Sequence, residues 1–106
     1  MKAERVKVEL SNLQTHFGSL DGSGFKMKGD MIYEEQMLTI EGEGKRVRLH
    51  ARNIARASLD KKKMSISAMN FEIVDKNGDT SVVSGSLVIE FPDEKQAQSW
   101  YGEVWG

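Results

Sequence analysis

The densest chemistry in this chain lies in KRVRLHAR, residues 45–52, where Lys45, Arg46, Arg48 and Arg52 accompany His50. Cationic groups at alternate positions can grip an anion, because a strand sends every second side chain to one face. Val47, Leu49 and Ala51 occupy one face and leave Arg46, Arg48, His50 and Arg52 on the other. The preceding EGEGK (41–45) reads as a tight turn, which sets Ile40 opposite Val47 and Leu38 opposite Leu49. The same register faces Glu41 to Arg46, Thr39 to Arg48 and Met37 to His50. Arg46 thus has a cross-strand partner, of the kind that stabilises a sheet by roughly 0.2–1 kcal/mol, and Arg48 and Arg52 have no obvious one.

Other charged or polar groups carry less. Lys26 and Lys28 alternate with Phe25 and Met27, and Lys61, Lys62 and Lys63 follow Asp60 in what reads as a solvated turn between strands. Asp75, Asn77 and Asp79 imitate the start of a calcium loop, but its sixth and twelfth positions are Thr80 and Ser86 rather than Gly and Glu. His16 and His50 stand far apart, and GSLDGSG has neither a Walker lysine nor a following helix. The chain has no cysteine, which excludes disulfides, thiolate metal sites and cysteine nucleophiles. No nucleophile–base or carboxylate pair stands out, so the expectation is a protein that is not an enzyme and needs no cofactor.

Basic residues number 15 against 16 acidic ones in a chain of 106. That near-balance disfavours a dedicated nucleic-acid binder. The charge is segregated, however: residues 30–43 hold five acidic residues and no basic one, whereas residues 45–63 hold eight basic residues and only Asp60. Blocks of this kind favour steering or self-association. The opening MKAERVKVEL lacks the apolar run of a signal peptide and no stretch approaches transmembrane length, which leads us to expect a cytoplasmic protein.

The elements that must position these residues are mostly strands. Apolar positions recur with a period of two through Val6–Val8–Leu10, Phe25–Met27, Leu38–Ile40, Val47–Leu49–Ala51 and Ala57–Leu59. MSISAMNFEIV (64–74) keeps Met64, Ile66 and Ala68 in phase, then switches to Met69, Phe71 and Ile73, which calls for one extra residue near Ala68 in a bulge or bend. VVSGSLVIEF (82–91) stays in phase throughout. The link DKNGDT (75–80) contains the Asn-Gly pair that tolerates the positive φ of a tight hairpin. After Pro92 the period changes. Asp93 and Gln96 form a capping-box pattern, and Ala97, Trp100, Tyr101 and Val104 make one helical apolar stripe. About seven strands and one helix form a single domain, residues 1–106, with Trp100 in its core. Trp105 either packs on the barrel rim or stays available to a partner, and Phe17 is either a loop anchor or a membrane-touching residue.

This order resembles the pleckstrin homology (PH) superfold over essentially the whole chain. The resemblance is most specific in IEFPDEKQAQSW, an acidic helix start followed by Ala97 and the core Trp100. It implies a mainly β fold: a partly open seven-stranded antiparallel barrel capped by one C-terminal helix. It also implies a comparison with members that bind phosphoinositides. Lys26 and Lys28 stand where their second-strand basic pair would lie, and Lys45 with Arg46 beside the third turn. Two features depart from that pattern: Lys28 replaces the bidentate arginine, and SNLQTHFGSLDGSG (11–24) has no lysine or arginine at all. RLHAR (48–52) and DTSVVSG (79–85) are similar to the paired motifs of PilZ domains that bind cyclic dinucleotides, with one residue too many in the second. The expected function is a PH-like binding module for a protein partner or a second copy of itself. The alternative is an anionic ligand, a membrane lipid headgroup or a cyclic dinucleotide, held by Lys26, Lys28, Lys45, Arg46, Arg48 and Arg52.

Overall fold

Two-residue loops account for much of the chain's path. The computed structural model describes residues 1–16, 18, 19 and 25–106; Phe17 and most of the glycine-rich 16–24 loop lie outside the described residues. The strands are β1 (Lys2–Thr15), the short β2 (Gly18–Ser19), β3 (Lys26–Glu34), β4 (Met37–Gly42), β5 (Lys45–His50), β6 (Ile54–Asp60), β7 (Lys63–Val74) and β8 (Thr80–Glu90). A 3-10 turn (Ala51–Asn53) separates β5 from β6, and helix α1 (Glu94–Val104) follows β8. Glu35 and Gln36 join β3 to β4 with φ of 52° and 65°, and Glu43 and Gly44 join β4 to β5 with φ of 54° and 76°. Two consecutive positive-φ residues mark the hairpin loop whose twist matches that of its strands. The β4–β5 register follows from this loop and is the one the sequence implies, from Met37↔His50 to Glu41↔Arg46. The Asn-Gly hairpin is wider than expected. Only Gly78 has positive φ there, and the Asp75 carboxylate accepts from the Asn77 and Asp79 amides at 2.9 and 3.0 Å, holding the five-residue loop 75–79.

The strands close into an antiparallel ring of six, β1–β3–β4–β5–β7–β8 and back to β1. This differs from a partly open barrel of seven, and the reason is the length of β7. One edge of β7 pairs with β8 from Lys63 to Val74. The other edge is shared: β5 takes Glu72–Val74, and β6 takes Lys63–Ala68. β5 therefore closes the ring, and β6 is an extra strand that, among the described residues, pairs with no strand but β7. The break between the two partners coincides with a bulge, Ala68↔Gly85 followed by Phe71↔Val83, where Asn70 has φ 52°. That is the extra residue the phase switch near Ala68 demands.

Two further bulges bend β1, at Arg5 (φ 60°) against β3 and at Asn12 (φ 54°) against β8. Bulges increase local twist and turn a flat sheet into a closed one. Beside the first, β3 and β4 touch backbone to backbone. A Cβ added to Gly29 would collide with the Glu41 carbonyl oxygen and stand 2.6 Å from its carbon, and one added to Gly42 would stand 2.6 Å from the Gly29 Cα.

One apolar cluster fills the ring and extends under the helix, from Val6, Val8 and Leu10 to Ala97, Trp100 and Val104. Asp93 caps α1, its carboxylate accepting from the Gln96 amide at 2.8 Å. Trp100 is 2% exposed and packs at 6.1 Å, ring centre to ring centre, on Phe91. On the same helix, the Tyr101 hydroxyl donates to the Ala57 carbonyl of β6 at 3.5 Å. Trp105 lies outside this packing, 41% exposed. Among the described residues no helix is long and apolar enough to cross a membrane.

Candidate functional site

The six basic residues singled out by type and spacing do not form one continuous site. Lys26 and Lys28 point outward from β3, since Met27 between them is buried. The Lys26 ammonium lies 3.8 Å from Glu9 on β1. The Lys28 amide donates to the Glu43 carboxylate at 2.6 Å, which brings an acid to its side. Lys45 shares the phase of Val47 and Leu49, so it turns toward the barrel mouth rather than the outer face. There its ammonium donates to the Lys26 carbonyl at 2.6 Å and sits 5.3 Å above the Phe25 ring.

Arg46 and Arg48 do share the outer face of β5, but β4 separates them from β3. Glu41 stands opposite Arg46 as expected, but the ion pair is made on the other side of the strand. Arg46 reaches Glu72 of β7 at 3.9 Å, and Glu72 is also the ladder partner of Arg48. Arg48 thus has a carboxylate beside it after all. Arg52 leaves the stripe entirely, because β5 ends at His50 and the chain enters the 3-10 turn. His50 has a local structural role there: its Nδ1 accepts from the Arg52 amide at 3.1 Å and caps that turn. The Arg46 pair is exposed enough that a double-mutant cycle with Glu72 should give a coupling of at most about 1 kcal/mol. The cycle of Arg46 with Glu41, which faces it across the ladder without an ion pair, should give a smaller coupling. Melting curves of the two cycles check this, and a larger Glu41 coupling would overturn the pairing of Arg46 with Glu72 of β7.

Register places other cations where spacing did not. On the outer face Lys63, Glu90, Lys7 and Lys28 stand in one row across β7, β8, β1 and β3. Glu90 lies 3.9 Å from the Lys7 ammonium and 3.8 Å from that of Lys63. The row borders an open groove of about 470 Å³ shared by Lys7, Glu9, Lys26, Lys28, Lys63 and Glu90. Four lysines stand against three glutamates there, Glu9, Glu43 and Glu90, so most of the positive charge is offset within it. Period-two alternation would have shown Lys7 and Lys63 facing outward. Their meeting at Glu90 requires knowing that the first strand pairs with the last.

The feature with the clearest capacity to bind is a strand edge. β6 bonds to β7 on one side, and among the described residues no strand occupies its other side. An unpaired edge offers a row of amides and carbonyls that another extended chain can complete. α1 packs beside it through Tyr101 and Ala57. Among the described residues no three His, Cys, Asp or Glu side chains gather as a metal site would require.

The fold and this edge define a class: a small closed antiparallel barrel with one C-terminal helix, in which β6 is left half-paired among the described residues. Comparison with protein-family models, with curated proteins and with solved structures finds no match to this chain.

Proposed function

We propose that this domain is a non-enzymatic, PH-like binding module that engages a protein partner, or a second copy of itself, through the free edge of β6. The observation that carries the reading is the half-paired state of β6 next to α1. Consecutive antiparallel strands ending in one buried-tryptophan helix support the PH-like part of it. In the peptide-binding branches of that superfold, a segment adds to the sheet or lies beside the closing helix. The anionic-ligand alternative draws less support. A headgroup needs several free cations converging on one point, whereas Lys26, Lys45 and Arg46 each already have a partner inside the protein.

Site-directed photocrosslinking tests the reading. A photoreactive residue at position 58, exposed on β6, should trap a discrete partner or a second copy from native lysate. The same residue at position 76, in the β7–β8 loop, should not. Identical adducts from both positions, or none from position 58, would remove β6 as the binding edge.

A further inference from the structure

The strand at the margin of the sheet also runs through the most basic stretch of the chain. Arg52 in the 3-10 turn, Arg56 on β6, and Lys61 and Lys62 in the loop after it are all exposed. Asp60 is the sole acid in residues 51–63. Among the described residues no carboxylate lies within ion-pair distance of those four cations, in contrast to Lys7, Lys26, Arg46 and Lys63. The neighbouring strand supplies no counter-charge either: Arg56 faces Ser67 across the ladder, and Ser58 faces Ser65. The edge therefore combines backbone groups that no strand pairs, the Ala57 carbonyl being taken by Tyr101, with unneutralised positive charge.

Resting on the reading of β6 as the binding edge, we infer that its partner is an extended acidic segment, added to β6 as a further strand with carboxylates set against Arg56, Arg52, Lys61 and Lys62. Main-chain hydrogen bonds supply affinity in such strand addition, and the side chains select the sequence. Complementary charge steers the encounter and rejects the wrong partners. A second copy pairing edge to edge would bring together two 51–63 segments that each hold five basic residues against Asp60 alone, so charge favours the acidic segment over self-pairing.

The test uses capped eight-residue peptides that alternate threonine with glutamate, glutamine or lysine, titrated into the isotopically labelled chain and followed by amide chemical shifts. The glutamate peptide should bind at least tenfold more tightly than the glutamine one. Its shifts should centre on residues 54–60, the lysine peptide should not bind, and the preference should vanish at high salt as screening sets in. An Arg56→Glu, Lys62→Glu double variant should lose the preference while its melting curve stays in place. Equal binding of the glutamate and glutamine peptides at β6 would overturn the acidic preference and leave the binding edge standing. Glutamate binding with shifts away from β6 would overturn both. If no peptide binds, the charges serve only to keep the edge from pairing, as edge charges often do, and the inference falls together with the reading beneath it.

Discussion

Gly29→Ala should unfold this domain more than ten degrees earlier than the native chain. The new methyl group would meet the Glu41 carbonyl, a backbone atom fixed by the β3–β4 ladder, and no side-chain rotation relieves it. Overpacked side chains usually cost about 1–3 kcal/mol because neighbours shift. Here two strands must separate, so the expected loss is about 3 kcal/mol or more, and each kcal/mol lowers the melting temperature of a domain this size by about 4–8 °C. Gly42→Ala should behave alike, since its Cβ would strike the same contact from the other side. Gly102→Ala is the control. It lies inside α1 with open space around it, and should stabilise by roughly 0.4–1 kcal/mol by reducing the freedom of the unfolded chain. A thermal melt of the three variants decides the matter. Equal behaviour of Gly29 and Gly102 would mean that β3 and β4 do not touch where the structure places them.

Trp100→Ala is the second large effect. The indole is among the largest fully buried side chains and packs against Phe91, so its removal empties the junction between the helix and the barrel. Loss of a buried tryptophan costs about 3–5 kcal/mol, a large share of the 5–15 kcal/mol that holds a typical domain together. Urea unfolding should show a matching fall in the midpoint. Trp105→Ala, at a 41% exposed position, should leave the midpoint where it is. A midpoint unchanged by Trp100→Ala would detach α1 from the core.

What could be read from the chain divides along the range of the interactions involved. The β4–β5 register was legible because a two-residue loop leaves a strand pair only one in-phase alignment. The Ala68–Phe71 bulge was legible because the apolar phase visibly slips within one strand. The helix was legible from Asp93, Ala97 and Trp100 alone. Glu72 as the neighbour of Arg46 and Arg48 was not, because β5 skips over β6 to reach β7 and no local pattern records that jump. The exit of Arg52 from the basic stripe was hidden for a related reason. Ala51 continues the alternation by residue type, although the backbone has already turned at His50. The free edge of β6 follows from β7 hosting two partners on one side, a property of the sheet and of no single segment. Full closure of the barrel, where the sequence predicts a partly open one, rests on that same property.

The pairing of β1 with β8 has a kinetic consequence. β1 stands between β3 and β8, so it gains its second neighbour only when the chain's first and last strands meet. Closing a contact across nearly the full chain sacrifices conformational freedom before any pairing energy returns, and topologies dominated by such contacts fold in about milliseconds to seconds rather than microseconds. Until that final zipper forms, β1 and β8 each keep an unsatisfied edge, and the interval is when the chain is most exposed to pairing with a neighbour. The hairpins β3–β4 and β4–β5, with their short left-handed loops, can form early and independently. Loop-closure cost therefore predicts assembly from the middle of the chain outward, with a slow last step that joins the two strands farthest apart in sequence, and quenched-flow hydrogen exchange should show the β1–β8 amides protected last.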